Sequence, residues 1–262
     1  MGDRVFNLGL KMMNNDLRMK SNTGITIYII LLLFIVTGCD NTLFNSGDIS
    51  RLDTPVEEFT EVYINDIFEV YLYQDTVCKL SIEGGSNLLP NIEYKVVDGK
   101  LSVSDNNSAQ WSRNYDKMKL HISSKKLLYM DIHESSSIQC IDTLITPQLK
   151  VFSITDYSDI SLLIQCDNFY FVNEGTSGAY LEIKGTAKNV GMWARASAII
   201  KADEFISENM TFETESIGNS YIHVKNKLVV EILNSGKVYY KGNPETIEYL
   251  NEGAKSKLIK ID

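Results

Sequence analysis

From Ser135 onward one short phrase of small residues keeps returning. It reads Ser135-Ser136-Ser137-Ile138, Tyr157-Ser158-Asp159-Ile160, Thr176-Ser177-Gly178-Ala179, Ala196-Ser197-Ala198-Ile199, Gly218-Asn219-Ser220-Tyr221 and Ser235-Gly236-Lys237-Val238. Successive phrases start 17 to 22 residues apart, the length of one coil of a parallel β-helix or related solenoid. Between them lie alternating apolar segments such as Leu149-Val151-Ser153, Phe169-Phe171 and Leu228-Val230-Ile232, which carry strand periodicity. A single coil cannot bury its inward residues and leaves its backbone groups unpaired on both sides, so coils must stack. Small residues suit the corners, because stacked bends leave little room for side chains and demand unusual dihedrals. A β-sandwich also turns every 8 to 12 residues or so; a corner composition repeating at about twice that spacing favours the solenoid. About seven coils at roughly 4.8 Å each predict a rod near 35 Å long.

Upstream the pattern is still β. Alternation begins at Val56 and continues through Val62-Ile64 and Val70-Leu72. In the segment Ile82 to Val103, Gly84-Gly85 reads as a strand break and Asn87-Leu88-Leu89-Pro90 as a compact corner. Asp98-Gly99 is a two-residue hairpin turn between Tyr94-Val96 and Leu101-Val103. No sustained helical stripe appears, apart from a short helical turn expected at Ser86 to Leu89. The fold class is therefore all-β: a parallel β-helix over residues 56–262 with an N-terminal β-hairpin region. Leu258 to Ile261 is the candidate strand to cap its open end.

The first 38 residues follow different rules. An apolar run from Ile25 to Val36, preceded by Lys20 and closed by Thr37-Gly38-Cys39, is too short to span a bilayer comfortably. It resembles a bacterial lipoprotein signal, which implies cleavage after Gly38 and lipid on the Cys39 thiol. The competing reading is an uncleaved transmembrane helix. Residues 1–18 fit neither, and Met19-Lys20 opens a complete signal by itself, which makes Met19 the expected start. Residues 1–38 are thus read as signal peptide, 39–55 as a lipidated polar tether and 56–262 as the exported domain. Two or three acyl chains, at about 0.8 kcal/mol per buried methylene, hold such a protein on a membrane. The expected location is the bacterial cell envelope, at the outer membrane, on its periplasmic face or the cell surface.

Charge narrows the partners. The chain carries −9; residues 1–38 hold four basic and two acidic side chains, leaving −11 beyond them. Such a surface repels phosphate backbones and anionic head groups, so nucleic acid is excluded and membrane attachment falls to the lipid. Beyond Cys39 remain Cys78, Cys140 and Cys166, without CxxC spacing. Buried free thiols are the preferred reading, with one disulfide as the alternative in an oxidising compartment.

Catalytic chemistry is sparse. His121, His133 and His223 lack metal-ligand spacing, and no nucleophile elbow, phosphate loop or dinucleotide fingerprint occurs. No metal or cofactor is expected. Asp156, Asp159 and Glu182, beside Tyr157 and Tyr180, are the carboxylates that adjacent coils could bring together for a glycosidase-like or lyase-like pair. Aromatics give a stronger signal. The chain has 14 tyrosines, and Tyr157, Phe169, Tyr170, Tyr180, Trp193, Tyr239 and Tyr240 are spread over several coils. Outward rings in a column would form a platform for sugar faces or a protein-contact strip, whereas inward ones are core. Trp111 and Tyr115 fall in the loop-like segment Ser104 to Tyr115. Trp111, Tyr157, Tyr180 and Trp193 are the candidate binding residues.

The segment Asn87 to Val103 (NLLPNIEYKVVDGKLSV), the serial small corners and the close Val238 to Pro244 (VYYKGNP) together resemble the head GIN domain family. These are envelope proteins common in Bacteroidetes that carry an adhesin label. The resemblance covers about Val56 to Ile261 and implies a right-handed parallel β-helix, an exported location and no established activity. Its members show Ser-Gly-Ser-Gly-Asp corners where this chain has Ser216-Ile217-Gly218-Asn219 and Arg195-Ala196-Ser197-Ala198, so a role for those aspartates does not carry over. The expected function is that of a lipid-anchored, non-catalytic module binding a glycan or an envelope protein. A structural scaffold joining a larger envelope complex through one end of the rod is the alternative, followed by a polysaccharide-degrading enzyme.

Overall fold

The computed structural model describes residues 45–107, 117–174 and 178–262, and all the strands described lie within the unit Ser46–Asp262. Nine shorter strands come first: β1 (Ile49–Pro55), β2 (Glu61–Ile64), β3 (Glu69–Gln74), β4 (Lys79–Gly85), β5 (Ile92–Val97), β6 (Lys100–Asp105), β7 (Lys119–Ser124), β8 (Tyr129–Ile132) and β9 (Ser137–Cys140). Five long ones follow: β10 (Leu144–Ser153), β11 (Ser158–Asn173), β12 (Ala179–Ala194), β13 (Ile199–Thr214) and β14 (Ser220–Ile232). The chain closes with β15 (Val238–Lys241), β16 (Thr246–Tyr249), α1 (Ala254–Lys257) and β17 (Leu258–Lys260). Together the strands form one continuous sheet wound into a β-solenoid of about six turns, one fewer than the corner spacing suggests.

Each long strand is really two. In β11 and β12 the in-out alternation slips where two outward residues stand together, at Asp167-Asn168 and Lys188-Asn189. Only a turn of the chain keeps the residues on both sides of such a slip pointing inward. Every coil therefore presents two main outward faces, joined by a shorter ladder in which Leu144, Ile145 and Thr146 pair with Ile164, Gln165 and Cys166, and these with Gly185, Thr186 and Ala187. The first face is built from β2, β6, β8, the second halves of β10 to β14, and β16. The second is built from β3, β7, β9, the first halves of β11 to β14, β15 and β17.

Parallel register aligns inward residues into ladders along the axis. Behind the first face run Leu101, Val62, Met130, Val151, Phe171, Met192, Phe212 and Val230, each opposite the next and each buried. A coil borrows its hydrophobic partners from the coils above and below, so the core exists only as a stack. The corners show why their residues are small. A Cβ on Gly236 would sit 2.3 Å from the Gly218 carbonyl oxygen, and one on Gly218 would sit 2.3 Å from that of Ala198. The Ser216 hydroxyl donates to the Ala198 carbonyl at 2.8 Å, and the Gly218 amide donates to Ser216 Oγ at 2.9 Å, tying one corner to the next.

The N-terminal coils depart from chain order. Glu61 of β2 faces Lys100 of β6 on one side and Tyr129 of β8 on the other, and β3 lies likewise between β7 and β9. The coil that comes second in sequence is therefore stacked outside the first. Its outer edges are covered by antiparallel strands: β5 on β6, β4 on β7, and β1 on β4. The Asp98-Gly99 hairpin is present between β5 and β6, with both residues at positive φ, 51° and 75°, the combination a type I′ turn needs.

Three local expectations are sharpened or corrected. Ile49–Pro55, read as the end of the tether, is strand β1, paired residue for residue with β4. Its side chains are exposed on both faces except Thr54, so no apolar alternation betrays it. Gly84-Gly85 ends a strand rather than interrupting one: β4 includes both and stops at Gly85, and the missing side chain of Gly85 admits the Ser46 carbonyl, which a Cβ would meet at 2.2 Å. The helical turn lies slightly later, a 3-10 turn at Leu89–Asn91. At the other end β17 is the last coil's own strand, and the edges of β16 and β17 are covered by no further strand among the described residues. Cys78, Cys140 and Cys166 are free thiols. Burial pushes Cys140 up to about 11 and Cys166 up to about 12, which keeps both protonated and unreactive.

Candidate functional site: the outward faces of the coils

On the first face the register builds three parallel columns. The first runs Gln148, Asn168, Asn189, Asn209 and Lys227. Asn189 Nδ2 donates to Asn168 Oδ1 at 3.2 Å and Asn209 Nδ2 to Asn189 Oδ1 at 3.1 Å, an amide ladder on the outside of the sheet. The middle column runs Lys150, Tyr170, Gly191, Thr211 and Val229. Tyr170 leans over Gly191, where a Cβ would lie 3.0 Å from the ring, and Lys150 Nζ sits 5.6 Å from the ring centre. The third runs Phe152, Val172, Trp193 and Glu213. The Arg195 guanidinium lies 4.1 Å from the Trp193 ring centre, within cation–π range. A depression of about 430 Å³ follows the first two columns, lined by Tyr170, Asn189, Gly191, Asn209, Thr211 and Lys227.

The second face is different in kind. Tyr180 lies opposite Asp159 and carries Lys201 Nζ at 5.6 Å from its ring centre. Lys184 pairs with Glu182 and Glu204, each at 3.3 Å, and Lys241 pairs with Asp203 at 2.9 Å. Toward the C-terminal end Tyr221 stacks on Tyr239, with centroids 5.0 Å apart and planes at 13°.

A third feature belongs to the cap. A cavity of about 530 Å³ lies over β1, β3, β4 and β7, with Arg51, Asp53, Tyr73, Ser81 and His121 among its walls. His121 stacks on Tyr71 at 5.0 Å and shares a 3.0 Å hydrogen bond between Nδ1 and the Tyr73 hydroxyl. Burial first, then the charge of Arg51, holds its imidazole below the ordinary value of 6.5.

The four sequence candidates fall in different places. Trp193 is on the first face, Tyr180 on the second, and Tyr157 at the corner between them, 55% exposed; they do not form one column. Trp111 lies outside the described residues, as does Cys39. Phe169 points inward and is fully buried, and Tyr240 packs against the core. Asp159 and Glu182 share the second face as diagonal neighbours on adjacent strands. Asp159 faces Tyr180, whereas Glu182 faces Ser161 and Lys201 and is held by Lys184. No group of three metal-capable side chains occurs among the described residues. The amide ladder went unread in the sequence, although its asparagines recur at the coil spacing.

Comparison with known proteins places this geometry in context. The crystal structure of a "putative adhesin" from Bacteroides fragilis matches with a TM-score of 0.68 and 20% identity, over 81% of this chain and 95% of that one. A "Putative lipid binding protein" from Parabacteroides distasonis matches at 0.62 and 17%, over 83% and 98%. A "putative adhesin" from Parabacteroides merdae matches at 0.58 and 15%, over 82% and 95%. These likenesses establish the fold. No curated protein matches. Residues 58–244 match a family defined by its sequence pattern, and the chain belongs to that family, "Putative auto-transporter adhesin, head GIN domain".

Proposed function

We propose that the protein is a lipid-anchored, non-catalytic recognition module of the bacterial cell envelope, displaying the faces of its solenoid to a glycan or protein partner. The observation that carries the reading is the first face. Across β11 and β12 its three columns hold only amides, aromatic rings, a valine and a glycine, with Lys150 on β10 and Glu213 on β13 flanking them, where a solvated sheet face ordinarily alternates charges. The family's adhesin description and the adhesin neighbours support the same reading. Function is then display: Cys39 supplies locality, and the rigid coils hold shallow contacts in register so that many weak contacts act together. Among the described residues no helix is long and apolar enough to cross a membrane; attachment is assigned to lipid on Cys39.

Mass spectrometry of the membrane-extracted chain and of Cys39→Ala tests the anchor. The expected result is a diacyl or triacyl mass on a chain beginning at Cys39, with the variant released from the membrane fraction. An unprocessed N-terminus that stays membrane-bound in the variant overturns it. A second reading, a scaffold joined through the rod's end, is favoured by the last coil, where Tyr249 and Leu250 are exposed beside the open edges of β16 and β17. A dimer or larger assembly lost on Leu250→Lys would support that reading instead.

A further inference from the structure

We infer that the amide column and the Tyr170–Gly191 notch of the first face bind an extended, uncharged, β-1,4-linked polysaccharide lying along the axis of the rod, a reading that rests on the recognition role above and adds the class of ligand. Periodicity is the first ground. Neighbouring coils are about 4.8 Å apart, close to the advance of one sugar in an extended chain with equatorial linkages, so successive sugars meet successive coils, alternate sugars presenting the same edge. Hydrogen-bonding capacity is the second. Along the ladder Asn189 spends one N–H on Asn168 and one carbonyl lone pair on Asn209. An amide has two N–H donors and two acceptor sites, so each rung keeps a donor and an acceptor to offer sugar hydroxyls, which need both.

The notch supplies the third ground. Because residue 191 has no side chain, one edge of the Tyr170 ring packs into the space a Cβ would fill, and Tyr170 remains 39% exposed. An exposed aromatic ring fixed by such a contact offers a stacking surface for the C–H face of a pyranose. The depression beside it, about 430 Å³, is within the usual range for a small-ligand site. Charge fits a neutral polymer, because the two columns offer neither a free cation nor a carboxylate. Neither column carries a carboxylate between β10 and β14 on a chain of net charge −9. Its two lysines are engaged, Lys227 with Glu248 at 3.1 Å and Lys150 over Tyr170. The second face, laced with Glu182, Lys184 and Glu204, lacks this neutrality.

The test is calorimetric titration of the full chain in detergent with cellohexaose, xylohexaose and mannohexaose, their disaccharides, maltohexaose and polygalacturonate. At least one β-1,4 hexaose binds, at least tenfold tighter than its disaccharide, because several coils contribute. Tyr170→Ala weakens it tenfold or more, the double variant Asn189→Ala with Asn209→Ala weakens it severalfold, and Tyr221→Ala on the second face leaves it unchanged. Circular dichroism verifies that each variant is folded. Absence of binding by all three hexaoses, stronger binding of polygalacturonate, or indifference to Tyr170→Ala overturns the assignment. If the hexaoses fail while the chain still sediments with envelope fragments in a Trp193-dependent way, the glycan assignment falls and the recognition role survives.

Discussion

The two ends of this solenoid solve the same problem in opposite ways. From β10 to β15 each coil stacks on the one before it, so chain order and spatial order coincide. At the N-terminal end the second coil is threaded back beneath the first, and antiparallel strands close over it. The regular coils depend on neighbours for their core and leave open edges at the end, which an extra coil could extend. The threaded coil instead ends in β1, β4 and β5, whose antiparallel pairing stops the stack. A solenoid needs such a terminator on solubility grounds; here β4 to β7, inserted between β3 and β8, are joined by β1 from ahead of β2. One end closes the rod and the other repeats a surface.

That contrast can be broken experimentally, beginning with the core. Phe212, fully buried between Met192 and Val230 in the regular coils, should cost about 3–5 kcal/mol when cut to Ala in urea unfolding. If coils couple mainly to neighbours, hydrogen exchange should speed up in β12 to β14 while β2, β6 and β8 stay protected. Uniform loss of protection would make the two ends one cooperative body and remove the distinction. Deleting residues 46–55 tests the terminator. β1 pairs along its whole length but buries little, so the expected loss is only about 1–2 kcal/mol, the net worth of a few exposed hydrogen bonds. A loss as large as that from Phe212→Ala would mean that β1 is part of the core.

Smaller effects come from the surfaces. Tyr221→Ala removes the stack on Tyr239 and should cost about 0.5–1.5 kcal/mol beyond any change in burial. The cap carries the pH signature. His121 is held neutral by its burial and by Arg51, with Lys119 acting the same way and Glu83 and Asp53 opposing. As pH falls, the unfolded chain takes up the proton before the folded one does. The stabilisation is complete above about pH 6.5 and is lost progressively below it. His121→Gln should therefore flatten the stability profile between pH 7 and 5.

The same contrast explains what the sequence disclosed. Corners were legible because stacking excludes side chains there, and Ala198, Gly218 and Gly236 meet that demand at coil spacing. The Asp98-Gly99 hairpin was legible because its turn needs two positive φ angles. Coil order was not, since β6 and β8 present the same alternation to β2 and nothing local says which follows it in space. β1 was hidden because its strand is held by backbone pairing without a buried face. For the site, the sequence placed Trp193 and Tyr180 among its candidate rings without deciding which rings face outward. It could not separate their faces, because the slip at Lys188-Asn189 is only two polar residues in a polar stretch. The asparagine ladder looked like ordinary solvated surface until register aligned it.

The central claim is that the regular coils carry recognition and the threaded end only closes the rod. Its most direct test is co-sedimentation of the detergent-extracted chain with bacterial envelope fragments, comparing two folded double variants. Tyr170→Ala with Trp193→Ala should reduce binding at least tenfold, and Arg51→Ala with Tyr73→Ala, in the cap cavity, should leave it unchanged. The reverse pattern, binding lost through the cap pair and kept through the face pair, would contradict the account.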